Sequence, residues 1–247
     1  MFGVNTKAVG VSLLAAPVAV APERAYIGGH LHGSSVRLQE RRVAEVFEAG
    51  DREELVRAYE RWAERYDEDI LGLEMRGPEI VAAMAARYVR DRASPILDAG
   101  AGTGRVGELL AILGYSNLVA LDLSDAMLAQ AQERDVYRAL HQGALGDRLA
   151  FADDAFGAVV AAGVFTAGHA PPSSFDELLR VTRSGGLVIF TLATPAYESG
   201  GFKDKLEALK REGRWQLVEA TAPFHGLRRS VTYRDHTGCV LVYEVVR

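Results

Sequence analysis

One short segment, ILDAGAGTGRVGEL at positions 96–109, combines residue types that bind nucleotides. An acid ends its apolar run and four glycines follow: Asp98, Gly100, Gly102, Gly104 and Gly107. Glycines let the backbone turn sharply and approach a ligand, and the helix that follows offers free N–H groups. The last three glycines fit the G-x-G-x-x-G pattern of nicotinamide dinucleotide sites. The first three, preceded by the acid, fit a different nucleoside cradle, so the two interpretations imply different cofactors.

Asp122 ends the next apolar run, LVALD, and can bind both hydroxyls of a ribose in either interpretation. Asp98 distinguishes the two, because a carboxylate at the end of the first strand would repel the pyrophosphate of a dinucleotide. S-adenosylmethionine carries a cationic amino group and a cationic sulfonium, and it has no phosphate. A carboxylate beside the turn favours that ligand, directly or through water. The sequence therefore predicts S-adenosylmethionine as the cofactor.

Strands and helices alternate from Pro95 onward, which predicts an α/β fold with a doubly wound, Rossmann-like, mostly parallel sheet. We expect seven strands, with the last one antiparallel, because the final apolar runs read as an antiparallel pair. Ser124 is predicted to cap one helix, and a serine to open the helix SSFDELLRVTR, which should end at Gly185-Gly186. Apolar residues at helical spacing before position 95 predict further helices. Residues 1–57 should form an N-terminal arm and helical lid, and residues 58–247 the main domain.

The composition excludes several classes of partner. The formal net charge is −5, which argues against a nucleic-acid backbone as ligand. Pro17 interrupts the apolar stretch near the N-terminus, which is also too short to span a bilayer. The single cysteine, Cys239, can form no internal disulfide and favours a cytoplasmic setting. We expect a small-molecule substrate, no membrane partner, and a monomer or homodimer.

Four segments carry a resemblance to a known family: ILDAGAGTG, LVALDLSDAML, LAFADDAFGAVVAAGVF and ELLRVTRSGGLVIFTL. In order and spacing they resemble the motifs of class I S-adenosylmethionine-dependent methyltransferases, from about Tyr59 to the C-terminus. The pieces YERWAERYDEDI and GVFTAGHAPPSSFDELLRV are most similar to the methyltransferase-like group that includes the Williams–Beuren-syndrome-region protein. The substrates of that group are largely undefined, so the resemblance implies the cofactor and not the acceptor.

The resemblance implies a role for particular residues. Asp98 and the glycines at 100, 102 and 104 would hold the methionine end of the cofactor, and Asp122 the ribose hydroxyls. Two apolar side chains would border the adenine, three aromatic residues would close over the cofactor, and three residues would line the mouth where the methyl group is transferred. These are, in that order, Leu123 and Met127; Tyr59, Trp62 and Tyr66; and Gly163, Val164 and Phe165.

The chain also departs from the family pattern. No acid follows the third strand to bind the adenine amino group, and the nearest candidate is Asp147. Gly157 stands where relatives carry an acid, which weakens the usual anchor of the fourth strand. Ser184 replaces a proline, a change we expect to be harmless.

Candidates for the chemistry itself follow the fourth strand. His169 could act as a base or bind the substrate, and Thr166 could orient the acceptor. Alternatively, His169 is a loop histidine that hydrogen-bonds to the backbone, and Thr166 caps a helix or turn. His30 and His32 would lie on one side of an extended segment, but no third ligand is evident, so no metal is expected.

We therefore expect an S-adenosylmethionine-dependent methyltransferase that acts on a small-molecule acceptor at O, N or C. Two alternatives remain open at this point. The fold could bind the cofactor while catalysing a non-methylating reaction, or it could be a non-catalytic binding protein.

Overall fold

The computed structural model describes residues 32–246, and side chains from residue 36. Within this range the chain forms nine α-helices, one 3₁₀ turn and eight strands. The helices are α1 (His32–Phe47), α2 (Arg52–Trp62), α3 (Tyr66–Gly72), α4 (Gly77–Tyr88), α5 (Arg105–Ile112), α6 (Asp125–Glu133), α7 (Ser174–Val181), α8 (Thr194–Ser199) and α9 (Phe202–Arg211). The strands are β1 (Ile96–Ala99), β2 (Leu118–Asp122), β3 (Ala139–Gln142), β4 (Phe156–Phe165), β5 (Thr182–Ala193), β6 (Trp215–Ala220), β7 (Phe224–His225) and β8 (Thr237–Val245).

All the strands join one sheet in the order β3-β2-β1-β4-β5-β8-β6, with the two-residue β7 paired to β8. The first five strands along this order run parallel, and β8 is antiparallel to β5 and to β6. The predicted doubly wound α/β fold is confirmed, including the antiparallel end of the sheet, but the two-residue β7 adds an eighth strand to the seven expected. Because the order in which strands are added to the sheet reverses between β1 and β4, ligands are expected at the carboxyl ends of these two parallel strands.

Both faces of the sheet are covered. One face packs a core that includes Leu97, Phe175 and Phe190, and the other packs Ile96, Leu110 and Val160, all of them fully or almost fully buried. This explains why the central strands read as continuous apolar runs rather than as alternating ones.

Two predicted helix caps have different outcomes. Ser124 lies in an extended conformation, and its hydroxyl accepts a hydrogen bond from the Met127 N–H, as predicted. The serine cap expected for α7 is wrong. Ser173 already has helical dihedral angles, so its side chain makes no cap bond. The helix also ends at Val181 rather than at the glycines, because β5 begins at Thr182.

The helices before the sheet have a small core of their own. Val43, Val46, Leu55 and Trp62 pack together there with Leu227 from the C-terminal part of the chain. No helix among residues 32–246 is both long and apolar enough to cross a membrane. The N-terminal arm, including His30, lies outside the described residues, as do the side-chain contacts of His32.

Candidate active site

The glycine turn between β1 and α5 forms the floor of a cavity. Gly102 has φ +54°, in the left-handed region, and a Cβ atom built on it meets nothing within 4 Å. Its N–H donates a 2.7 Å hydrogen bond to Asp122 Oδ2. The turn is thus open toward the cavity and tied to the end of β2.

Asp122 is held from two sides at the end of β2. Besides Gly102, the N–H of Ser124 donates to its other oxygen at 2.9 Å. Burial raises the pKa of this carboxyl, and the backbone hydrogen bonds oppose that shift. A carboxylate that keeps free lone pairs after two such bonds can still accept hydrogen bonds from a ligand.

Asp98 lies beneath the turn, only 1% exposed, and it does not line the cavity above. The hydroxyl of Tyr137 donates a 2.6 Å hydrogen bond to Asp98 Oδ2. Asp98 Oδ1 has no well-placed hydrogen-bond partner among the described residues. Burial, assisted by the negative charge of Asp122, raises the pKa of the Asp98 carboxyl to about 7. The group therefore titrates near neutral pH, and it is poised to gain from a cation bound above it.

Tyr137 explains the glycines that follow Gly102. A Cβ atom on Gly107 would lie 2.2 Å from the Tyr137 hydroxyl, and one on Gly104 would lie 3.0 Å from the same ring. These two positions are glycine so that the phenol can cross the start of α5 and reach Asp98. Gly104 faces this packing and not the cavity, so a direct ligand contact at Gly104 stays a prediction without a geometric basis.

The cavity above the turn has a volume of about 290 Å³. Ten of the residues singled out in the sequence line it: Tyr59, Tyr66, Gly100, Gly102, Asp122, Leu123, Met127, Gly163, Val164 and His169. The remaining walls come from the start of α2 and from the loops after β3 and β4. We call this space the cofactor cavity.

Among the described residues, the wall of the cofactor cavity that follows β3 offers no unpaired acid to an adenine. Asp147 makes a two-pronged ion pair with Arg52, at 2.7 and 3.0 Å, and both side chains are more than half exposed. Gly143, Ala144 and Leu145 line the cavity there instead. Arg52 was not singled out in the sequence, because nothing local connects it to a residue so distant along the chain.

A second cavity, of about 390 Å³, adjoins the first. Tyr59, Tyr66, Gly163 and His169 line both. Thr166 and Phe165 line only the second, as does Trp62, whose indole N–H donates to the buried Asp69 at 2.8 Å. We call this space the acceptor cavity.

The outer wall of the acceptor cavity is formed by α1 and by the segment between β7 and β8. Phe47 of α1 packs edge-on against Tyr233, with ring centres 5.2 Å apart, and both line the cavity together with Leu227 and His236. Sequence patterns do not single out these residues, since no local signal places the loop between β7 and β8 beside α1.

One carboxylate joins these two elements. Glu40 of α1 accepts hydrogen bonds from the Ser230 hydroxyl and from the N–H groups of Val231, at 2.6 Å, and Thr232, at 2.9 Å. Burial opposes ionisation of this group, but the hydrogen bonds dominate and lower the pKa of Glu40 below its usual value.

Gly157 departs from the family pattern for a steric reason. A Cβ atom at this position would lie 1.9 Å from the Ser94 hydroxyl. The side chain of Ser94 fills the space that an acid would need. The start of β4 is instead anchored by its backbone, since the Gly157 N–H donates to the Pro95 carbonyl at 2.9 Å.

No cluster of three or more metal-ligating side chains occurs between residues 32 and 246. The cysteine is buried in β8, where burial raises the pKa of its thiol to about 11. Neither observation adds a reactive centre to the cavities.

Comparison with known proteins assigns the class. A family model described as a methyltransferase domain matches residues 97–190, which include the glycine turn and Asp122. The chain belongs to the class I S-adenosylmethionine-dependent methyltransferase family. Within it, the chain is similar to Methyltransferase-like protein 27 of Homo sapiens, 33% identical over 169 residues, which cover 66% of this chain and 68% of the human protein.

Solved structures share the fold. A TehB-like methyltransferase from Corynebacterium glutamicum is 23% identical, with a TM-score of 0.53, over 76% of this chain and 97% of that one. The [4+2]-cyclase SpnF is 15% identical, also with a TM-score of 0.53, over 68% of this chain and 81% of that one. At these identities the likeness concerns the fold alone.

Proposed function

We propose that the protein is a methyltransferase that binds S-adenosylmethionine in the cofactor cavity and a small-molecule acceptor in the acceptor cavity. One observation carries this proposal: the two cavities meet at Gly163, Tyr59, Tyr66 and His169. A methyl group on one side of that junction can face a nucleophile on the other. The acceptor is methylated at O, N or C.

The residues present fit the cofactor. The open face of Gly102 leaves room for the amino-acid tail, and Asp98 beneath the turn supplies negative charge for its ammonium group. Asp122 would accept hydrogen bonds from both ribose hydroxyls, and Leu123 and Met127 would border the adenine. Its amino group would be left to backbone groups near Ala144, since Asp147 is already paired.

When bound, the cofactor supplies an activated methyl group, so little covalent chemistry is asked of the protein. The chain would position the two reactants and exclude water from them. The aromatic rings of Tyr59 and Tyr66 cover the junction of the cavities, and Gly163 leaves it unobstructed. His169 and Thr166 face the acceptor side, where one can take a proton and the other can orient a polar group.

The N-terminal helices act as a lid in this proposal. Residues 1–57 would form an arm and cover, and residues 58–247 the catalytic domain. Support comes from α1 and the start of α2, which contribute Phe47 and Leu55 to the cavity walls and pack through a core separate from that of the sheet. The small volumes of the two cavities and the net negative charge support a small acceptor in place of a nucleic acid, and we propose a cytoplasmic protein.

Isotope transfer tests this function. The protein is incubated with methyl-labelled S-adenosylmethionine and a metabolite extract, and the small-molecule fraction is examined for label. Label in a small molecule is the expected result. A product formed without cofactor consumption, or equally well with the demethylated cofactor, would instead support a non-methylating reaction. A folded protein with no heat of cofactor binding would leave a non-catalytic role.

A further inference from the structure

A hydrogen-bonded pair of side chains stands at the junction of the two cavities. The Tyr59 hydroxyl and His169 Nε2 are 2.7 Å apart, and both residues line both cavities. Their rings meet edge-on with centres 5.8 Å apart, and the Phe47 ring also packs edge-on with the imidazole, at 5.8 Å. The pair therefore has a fixed geometry at the place where transfer would occur.

The backbone determines which atom carries the proton. His169 Nδ1 lies 2.9 Å from the carbonyl oxygen of Ala167, and a carbonyl can only accept a hydrogen bond. Nδ1 must therefore be protonated, and Nε2 of the neutral ring is left as an acceptor. It follows that the Tyr59 hydroxyl donates to His169. The lone pairs of that hydroxyl oxygen remain available to a donor in the cavity.

The acceptor cavity has a distinct chemical character. Aromatic rings make up much of its wall, from Phe47, Trp62, Phe165, Phe224 and Tyr233. No lysine or arginine belongs to its described lining, and the only acid there is the exposed Glu48. An anionic acceptor would find no opposite charge in this space, whereas an uncharged ring system would be well matched.

We propose that Tyr59 and His169 form a proton relay, and that the acceptor is an uncharged, ring-bearing compound whose phenolic or enolic hydroxyl is O-methylated. This inference rests on the proposed function and specifies its substrate class. Tyr59 is the catalytic residue that contacts the acceptor, and His169 is the positioning residue and proton store behind it.

The step balances as follows. The acceptor oxygen forms a bond to the methyl carbon, the carbon–sulfur bond breaks, and its electron pair stays on sulfur. The acceptor's hydroxyl proton passes to the Tyr59 oxygen while the Tyr59 proton passes to His169 Nε2. The resulting imidazolium keeps its Nδ1–H bond to Ala167 and later loses its extra proton to solvent. No oxidant, reductant or further reactant is required.

The electrostatics agree with this geometry. Burial lowers the pKa of His169, so the ring is neutral at pH 7 and able to take up a proton. Burial, with the charges of Tyr66 and Asp122, raises the pKa of Tyr59 well above its usual value, so it keeps its hydrogen between turnovers. The other titratable groups that line the acceptor cavity are Tyr233, His236 and Glu48, and Asp51 and Arg52 line the cofactor cavity.

The test uses the full chain with S-adenosylmethionine and matched probes: 2-naphthol and umbelliferone as phenols, 2-naphthoic acid as an anion and 2-naphthylamine as an amine. Tyr59→Phe and His169→Gln are compared with Tyr197→Phe and His141→Gln, which remove a tyrosine hydroxyl and an imidazole away from both cavities. Cofactor binding is measured by calorimetry for every variant.

We expect methylation of the phenols, with kcat lowered about 10²- to 10⁴-fold in the two relay variants and unchanged in the controls. The wild-type kcat/KM should be flat above about pH 7, whereas in the relay variants it should rise about tenfold per pH unit as the phenol ionises by itself. A role in packing alone would not produce that change of pH profile.

Three results would overturn the relay. They are transfer to the acid or the amine in preference to the phenols, relay variants with the wild-type rate and pH profile, and no transfer to any probe by a protein that binds the cofactor. None of these three results would count against the proposed cofactor site. Absence of cofactor binding, in contrast, would count against the proposed function itself.

Discussion

The two cavities are built in different ways. On the floor of the cofactor cavity, the glycine turn after β1 and the end of β2 are joined through Asp122. The backbone N–H groups of Gly102 and Ser124 hold its carboxylate in place. The acceptor cavity is assembled from side chains contributed by α1, α2, β5 and the segment between β7 and β8. One is defined by local backbone geometry and the other by long-range packing.

This difference predicts how each cavity responds to change. A contact fixed by backbone hydrogen bonds should be sensitive to a single atom, because a missing partner leaves buried N–H groups unpaired. A wall of aromatic side chains should tolerate small polar changes and mainly alter the fit of the acceptor. The following predictions test that contrast, from the largest expected effect to the smallest.

Asp122→Ala should lower cofactor affinity by at least about 100-fold, since it removes a charged acceptor from the ribose site, with each such hydrogen bond contributing about 1.5–3 kcal/mol. The protein should stay folded, because the rest of β2 is apolar and three of its four remaining residues are buried. Calorimetry and a thermal melt measure the two effects separately. Unchanged affinity would refute the assignment of Asp122.

Gly102→Ala should lower cofactor affinity about tenfold or more, because the added methyl group projects into the space for the amino-acid tail. Gly114 is a matched control: it also has a positive φ, +90°, and an empty surrounding, but it lines neither cavity. Both substitutions should cost about 1–2 kcal/mol of unfolding free energy from backbone strain. Equal binding by both variants would show that the turn does not contact the ligand.

Asp98→Asn should remove a pH dependence of the free energy of unfolding and of cofactor affinity. The folded pKa of about 7 lies above the value of 3.8 for a free carboxyl, so the folded state binds more protons between these values and loses stability as pH rises. For the wild type, this group should make unfolding about 2–3 kcal/mol more costly at pH 5 than at pH 8.

The same carboxyl should make cofactor affinity rise as pH increases through 7, because only the ionised form attracts the ammonium group. In Asp98→Asn both the affinity and the stability should be flat over this range. Denaturant titrations and calorimetry at several pH values provide the measurement. A wild type without either slope would contradict the assignment of a buried, titrating carboxyl.

Thr166→Val should have the smallest effect, raising the KM for the acceptor about two- to fivefold while cofactor affinity stays the same. Its hydroxyl lines only the acceptor cavity and makes no hydrogen bond to another described side chain. Steady-state kinetics with an excess of one substrate at a time separates the two constants. A change confined to the cofactor constant would mean that the two cavities are not functionally separate.

The sequence predicted the parts of the site that local rules govern. Gly102 and Asp122 could be placed because a strand, a turn and a helix N-terminus fix their relation within a short segment. The doubly wound, mostly parallel sheet followed from the alternation of apolar strands and helices, since such units pack with parallel strands. Ser124 was found as a cap because its partner is three residues away.

Other features depend on distant contacts and could not be predicted. Tyr137 reaches Asp98 across α5, and the only trace in the sequence is a glycine inside a helix at position 107. Trp62 was expected near the cofactor, but its indole is held by Asp69 and faces the acceptor cavity. The helical periodicity located its face correctly, yet periodicity does not state what lies opposite that face.

The contact between Glu40 and residues 230–232 has a consequence for turnover. That single carboxylate joins α1 to the segment between β7 and β8, the two elements that form the outer wall of the acceptor cavity, and separating them there would break three hydrogen bonds. In the proposed reaction, release of the methylated product by separation of these two elements would require this contact to open, and such conformational steps limit kcat in many enzymes. Weakening the contact between Glu40 and residues 230–232 would then speed product release and also admit more water to the cavity.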